Sequence, residues 1–595
     1  PAVLLALILV APARAQQAGT DACSDGTVEH IFLDNHSIFD TSDPTLDPRF
    51  RWAYGLANRL HVRTKKEFIS RELLFDPGDC YDPVLLEESG RLLRAYDFIA
   101  HADVYGVRQE DGDWHVVVDT EDEWSTQVGI QYDMSGEFEF EELEVREKNL
   151  LGTGQSVEFF YRTMEATLSY GIRYATPQLF RTRWDFSAAA GRTRAGHLLH
   201  QEISYPFLGE TGAWAMREWF HHRDRYFDYV LPREPDLCPA DGPNCRILVP
   251  IRQRGFHIAG LRRFGERGNL TVVGGGLSIQ ALRYIGDPET AITLVRGSDY
   301  AGREPVSEAL REPALALTDR LDNVRAVLLI GKRNITWQQR TGLDSFDGQE
   351  DVRVGAEIEV AIARTLPGAA SDDDMHLVTD FYAATGPPNL FLASRLRTDA
   401  RRDYTATIGE EEWRDVLGEA ELMVYLRPRS LPRHTLIFRA AGAGGWNPRI
   451  PFQLTLGGER AVRGWSEESF PGGRRVVLSA EDRWHHPWLF PDVADIGTSL
   501  FGDLGRIWPG EAPYGTDSGW RGTLGAGLRV NFPAGGINTF RFDVAFPVGP
   551  DAQLGDFQLL IGVGEYLGVS APFLDRQLGR SRVPPITGSL LHFPN

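Results

Sequence analysis

From Thr126 onward, apolar side chains fall on every second residue, and this period of two limits the fold more than any other feature of the chain. In Ala166-Thr167-Leu168-Ser169-Tyr170-Gly171-Ile172-Arg173-Tyr174 the even positions are apolar and the odd ones small or polar. Successive strand side chains point to opposite faces, so one face of this segment suits lipid and the other does not. The pattern recurs where Leu524, Ala526, Leu528, Val530 and Phe532 alternate with Thr523, Gly525, Gly527, Arg529 and Asn531. It recurs again where Phe540, Phe542, Val544 and Phe546 alternate with Thr539, Arg541, Asp543 and Ala545. An inner face carrying arginine and aspartate must be wet or internally paired. A soluble β-sandwich alternates too, but the length of the region and its aromatic strand ends (Trp484, Trp508, Phe532, Tyr566) favour a membrane barrel with interfacial girdles. Strands in lipid must close on themselves, because an open edge leaves backbone groups unsatisfied. Residues 125–569 have room for a transmembrane β-barrel of about 16 antiparallel strands with long loops.

Composition narrows the alternatives. Beyond the first dozen residues no run of 18 or more apolar residues occurs, which excludes spanning by helices. A formal charge of -21 disfavours nucleic acid, whose phosphates are held by a surplus of Lys and Arg. Most of that charge reads as a solvated acidic surface. Acidic loops such as Asp372-Asp373-Asp374 offer divalent bridging to outer-membrane lipid phosphates as a sharper alternative.

The amino terminus reads as an export signal over residues 1–15. Ala2 to Pro12 form an apolar core and Ala13-Arg14-Ala15 a small-x-small cleavage site, without the usual basic start. Export leads through an oxidising compartment, where an even cysteine count implies disulfides. Cys23, Cys80, Cys238 and Cys245 allow three pairings, and the local one, Cys23 with Cys80 and Cys238 with Cys245, is expected. Neither group has the Cys-x-x-Cys spacing that zinc prefers.

Residues 27–124 lack the alternation of the C-terminal region and mix helical with strand patterns. A strand begins at Val28, Arg49 to Leu60 has helical spacing, and Asp82-Pro83 opens a second helix through Leu93. Two strands, Ile99 to Val107 and Trp114 to Val118, flank the hairpin signal Asp111-Gly112-Asp113. The expected order is β-α-α-β-β. With Phe75-Asp76-Pro77-Gly78-Asp79-Cys80-Tyr81-Asp82 ahead of its second helix, this small α+β unit resembles a POTRA domain, the periplasmic module that precedes outer-membrane barrels of the BamA/TamA superfamily.

Two barrel motifs point the same way. Leu456-Gly457-Gly458-Glu459-Arg460-Ala461-Val462-Arg463-Gly464-Trp465 resembles the loop that folds into the lumen in BamA, TamA and the two-partner secretion transporters. Phe501-Gly502-Asp503-Leu504-Gly505 is similar to the superfamily's Phe-x-Asp-x-Gly strand motif, and Asn149 to Gln155 is a further familiar element. The resemblance covers about residues 27–569.

A long loop inside a barrel must be pinned, and the planar fork of Arg463 suits bidentate pairing with a carboxylate. Asp503 and Glu481 are the expected partners, while Gly464 allows close approach to the wall. Val462, Arg463, Gly464 and Trp465 thus form a candidate lumenal latch, with Phe501 and Gly505 in the supporting strand motif. The resemblance also implies a lateral seam between the first strand, carrying Gly129, and the last, carrying Gly562 and Gly564. Ser570 to Asn595 form a C-terminal tail beyond the point where such barrels end.

The resemblance implies an outer-membrane assembly or insertion factor, with its N-terminal domain in the periplasm, acting on unfolded barrel clients and open to a periplasmic partner protein. The alternative is a polypeptide secretion pore. No Gly-x-Ser-x-Gly elbow or nucleotide loop occurs, and His221-His222 and His485-His486 are adjacent pairs that point to opposite faces of a strand. Neither enzymatic activity nor a cofactor or metal is expected.

Overall fold

The computed structural model describes residues 23–582 apart from 40–46, 134–138, 164–168, 234–237, 239–244, 297–301, 371, 407–410, 459, 467–468, 491–492, 551, 553–555, 566 and 569–574. The export signal and Tyr566 lie outside the described residues.

The N-terminal sheet has the order β1 (Val28–His36), β3 (Trp114–Asp122), β2 (Ile99–Arg108), with β1 parallel and β2 antiparallel to the central β3. Three α-helices, not two, lie between β1 and β2 among the described residues: α1 (Arg51–Leu60), α2 (Lys66–Glu72) and α3 (Pro83–Arg94). The seven-residue α2 is too short to show a periodic stripe, which is why the sequence pattern missed it. The start of α3 follows local chemistry: the Asp82 side chain accepts from the Val84 N–H, and Pro83 needs no donor there. Phe68, Ile69 and Leu73 of the α2 region pack with Leu86, Leu93, Phe98, Val116 and Val118 in one core. The apolar side of α1 is not part of it.

Cys23 is joined to Cys80, and Cys238 to Cys245, with Cα separations of 5.3 and 5.8 Å. Mass spectrometry of unreduced peptides should recover both local pairs; free thiols at Cys238 and Cys245 would overturn the loop closure.

Residues 126–563 form a closed antiparallel barrel with twenty wall strands among the described residues, from β4 (Thr126–Asp133) to the last strand (Gln558–Val563). The estimate of about 16 allowed for longer loops than the chain uses. Several hairpins are tight: Gly196 follows Thr193 across two residues, and Asn269 follows Glu266 across two. Even strand number puts both barrel ends on the side of the N-terminal domain, here called proximal. Two short strands, Thr293–Arg296 and Glu304–Pro305, belong to a distal excursion between Asn269–Tyr284 and Leu321–Arg340, which pair directly.

Alternation governs the wall. Leu524, Leu528, Phe542 and Phe546 are exposed outward, while Thr523, Arg529, Arg541 and Asp543 are buried inward. No described helix is long and apolar enough to cross a membrane. Two sequence assignments change. Phe532 packs near Phe39 and Trp124 rather than in an outer girdle. Asp374 is not a loop residue: it opens the strand Asp374–Thr385, buried and held bidentately by Arg325 at 2.8 and 2.6 Å, so it is unavailable to a surface cation.

Candidate functional site

The N-terminal domain caps the proximal mouth through turns spread around the barrel. The turn Asn149 to Gly154 docks on it: the Asn149 amide donates to the Thr64 hydroxyl at 2.7 Å, and the Lys65 N–H to the Gly152 carbonyl at 2.8 Å. Gly152 and Gly154 have positive φ, and a Cβ on either would lie 2.2–2.3 Å from Arg63 or Phe68, so glycine is required on both counts. Elsewhere Arg94 pairs with Asp351 at 2.8 Å, Arg267 with Glu87 at 2.9 Å, and the Glu210 N–H donates to Glu88 at 2.8 Å. In the linker into β4, Glu123 accepts from the N–H groups of Ile537 and Trp124. Burial outweighs those donors and pushes its carboxyl up to about 7. Because this lies above the ordinary 4.5, the contact loses stability as pH rises from about 4.5 toward 7.

Between the strands His434–Trp446 and Arg474–His485, the chain leaves the distal rim and folds into the lumen. Arg463, in this loop, is 1% exposed. Its Nε and Nη2 donate to the two oxygens of Asp503 at 2.8 and 3.0 Å, and its Nη1 to Glu481 at 3.0 Å. The guanidinium also lies 3.7 Å from the Phe501 ring centroid, a cation–π contact made stronger by exclusion of water.

The spacing of Phe501, Asp503 and Gly505 now has a physical explanation. All three share the inward face of Asp495–Trp508, and each meets the loop differently. Phe501 lies under the guanidinium and Asp503 binds it, while a Cβ on Gly505 would lie 2.6 Å from Val462. Gly464 has φ +87°, and a Cβ there would come within 3.0 Å of Thr523. The Trp465 indole donates to the Gly522 carbonyl at 2.9 Å. Val462 packs with Leu454, Leu456 and Ile507.

The latch belongs to a larger charge network that sequence reasoning missed. Arg483 donates to Glu481 at 2.9 Å, and Arg529 reaches Glu481, Asp543 and Glu565. Arg483 also pairs with Glu565 at 3.2 Å. With Arg541, which pairs with Asp543 at 3.4 Å, four arginines share four carboxylates, an arrangement that leaves no isolated buried charge in the group. Alternation already puts Arg529 and Asp543 on the inner face, and the same parity along Arg474–His485 would have added Arg483. Glu565 lies beyond the last strand, where alternation gives no guide.

The chain after the last strand also enters the lumen. Its short helix, Arg576–Ser581, buries Leu578 among Leu454, Leu456 and Val462. Glu419 accepts from the Asp575 N–H at 2.7 Å and from Arg582 at 2.9 Å, and Arg580 pairs with Asp228 at 2.6 Å. Arg475 donates to Gln577 at 2.8 Å and also pairs with Asp575. These contacts place part of the 570–595 tail in the distal half of the lumen, beside the loop. Deleting residues 570–595 should raise conductance in planar bilayers several-fold, and reversing Arg580→Asp together with Asp228→Arg should restore the low conductance lost in either single variant.

The seam residues are less alike than the sequence suggested. The last strand is confined to Gln558–Val563 and pairs six residues with the preceding strand, Thr539–Val548. Gly562 lies within it, whereas Gly564 lies beyond it with φ +83° and its N–H donates to the Thr539 carbonyl at 2.7 Å. Gly129 lies in β4, paired with Glu144.

No curated protein matches the sequence. Among solved structures, the chain is similar to BamA from Haemophilus ducreyi lacking POTRA domains 1–3, at 13% identity and TM-score 0.37, covering 92% of this chain and 86% of that one. It is also similar to CdiB from Escherichia coli, at 12% identity and TM-score 0.42, covering 91% and 76% respectively. CdiB from Acinetobacter baumannii is similar at 12% identity and TM-score 0.38, covering 91% and 74%. A family model, the Omp85 superfamily domain, matches residues 432–565, the segment that holds the lumenal loop, Glu481, the Phe501–Gly505 motif and the closing strand.

Proposed function

We propose that this protein is an outer-membrane assembly or insertion factor of the BamA/TamA type that receives client strands at the seam between β4 and the last strand. Omp85 family members handle unfolded or secreted polypeptide clients, so the family assignment supports a polypeptide client without choosing between the two. The observation that favours the seam is an imbalance in the wall. The last strand is only six residues long and uses all six to pair with the preceding strand, Thr539–Val548, so the seam it closes with β4 is equally short, whereas Leu321–Arg340 and Glu350–Thr365 share sixteen pairs. Meanwhile the loop and the C-terminal helix occupy the lumen, and the N-terminal unit covers its proximal mouth. A client would therefore meet least resistance at the short seam, adding a strand through main-chain hydrogen bonds. In this reading the N-terminal unit is a single POTRA-like domain in the periplasm, the distal loops face outward, and Arg463 with Asp503 and Glu481 holds the lumenal loop as a structural latch.

Depletion followed by quantification of outer-membrane proteins tests the proposal. Selective loss of other barrels supports it. Loss of one secreted protein with the barrels intact would favour the secretion-pore alternative.

A further inference from the structure

Helix α1 is the one α-helix of the described N-terminal unit that stays outside its core. Its buried residues, Tyr54 and Ala57, pack with Ile38 and Phe39, against Phe50, Trp124, Val493 and Phe532 at the proximal rim. The Phe39 and Tyr54 ring centroids are 4.7 Å apart, and Phe50 lies 6.3 Å from Phe490 in the turn after Arg474–His485. The helix is therefore fixed to the edge of the barrel.

Its other side has no partner among the described residues, although it is apolar. Trp52, Leu56 and Leu60, spaced by one turn, are 71%, 48% and 66% exposed. The adjoining barrel turn continues this surface with exposed Trp488, Leu489 and Phe490. Charge sharpens the picture. Arg49 is held by Asp47, and Arg63 and Lys66 donate to the Asn35 and Leu33 carbonyls, but Arg51 and Arg59 on the helix itself are exposed, and no acidic residue occurs between Asp47 and Glu67 in a chain whose net charge is -21. Tryptophan and leucine on one helical surface, flanked by arginine and continuous with an aromatic rim, suit the headgroup boundary of a bilayer.

We infer that α1 is an interfacial helix that lays Trp52, Leu56 and Leu60 into the membrane leaflet at the proximal mouth, with its arginines on anionic phospholipid headgroups. An acidic client peptide would use the arginines but would leave the apolar stripe unexplained. A lipid surface accounts for both, and for the position of the stripe beside Trp488 and Phe490. The helix would then fix the orientation of the N-terminal unit relative to the membrane plane, whichever route the client takes.

The test uses the full-length protein reconstituted in phosphatidylethanolamine vesicles with or without phosphatidylglycerol. All four native cysteines are paired, so an environment-sensitive fluorophore on Leu56→Cys, or on Leu60→Cys as a second position, reports one site. A label on Asp111→Cys in the exposed hairpin turn serves as the solvent control. Heat-modifiable migration on gels confirms an intact barrel for each variant. We expect blue-shifted emission at residue 56, with quenching by spin-labelled lipid several-fold stronger than by aqueous iodide. The lipid quenching should increase with phosphatidylglycerol and lose that increase in Arg51→Glu/Arg59→Glu. Iodide quenching equal to that at residue 111 would overturn the inference by showing a solvated face. Shielding from both quenchers would overturn it in favour of a protein partner, and indifference to phosphatidylglycerol would overturn the anionic preference.

Discussion

A disulfide engineered across the seam, joining β4 to the strand Gln558–Val563, should abolish client assembly, and reduction should restore it. Every backbone hydrogen bond at the closing pair adds to the stability of the barrel. The last strand already pairs only six residues on its inner side, and Gly562 within it contributes no side-chain packing. Opening this pair exposes two strand edges, and an exposed edge is a template for an incoming strand. A covalent bond removes that state without altering the rest of the wall. A control disulfide between Leu329 and Ala361, which face each other in adjacent mid-barrel strands, should leave assembly unchanged. Measured by client insertion into vesicles with and without reductant, the seam-locked protein should show at least a tenfold deficit. Full activity in the locked form would eliminate the gate and favour passage through the lumen.

Arg463→Ala should release the lumenal loop while leaving the barrel inserted. The substitution leaves Asp503 and part of Glu481 buried without their cation, and breaking such a pair typically costs about 3–5 kcal/mol. That energy acts first on loop docking, because the wall retains its own ladder of hydrogen bonds. Protease access at the loop should therefore rise steeply while heat-modifiable migration persists. Asp503→Ala should have a similar effect, and the double variant should show a coupling energy of about 0.5–3 kcal/mol rather than simple addition. Strictly additive losses would show that the two side chains do not act as a unit. Arg463→Lys should rescue poorly, since an ammonium cannot serve both Asp503 oxygens, Glu481 and the Phe501 ring in one fixed geometry.

The latch shows how far a linear pattern can reach. Glu481 shares its parity with Arg475 and Ser479 along Arg474–His485, and the structure has all three buried on the inner face. The two glycine-containing motifs carried the resemblance because each marks a close approach that a side chain would block. Arg529 and Asp543 were visible only as charges needing water or partners. Their convergence with Arg483 and Glu565 depends on the order in which distant strands stand around the wall, which period-two spacing does not encode.

By itself the sequence determined what is local: strands with one lipid-compatible face, the cap and proline that start α3, the hairpin turn at Asp111-Gly112-Asp113, and an arginine suited to a carboxylate. Tertiary structure alone decided the strand number, because that depends on how little chain the loops consume. It also decided that α1 lies on the barrel rim instead of its own domain's core, since an amphipathic stripe specifies a buried face but not the surface that buries it. The return of the C-terminal chain into the lumen was equally out of reach. Asp575, Gln577, Arg580 and Arg582 find their partners on strands 100 to 352 residues away, and only the closed wall brings those partners together.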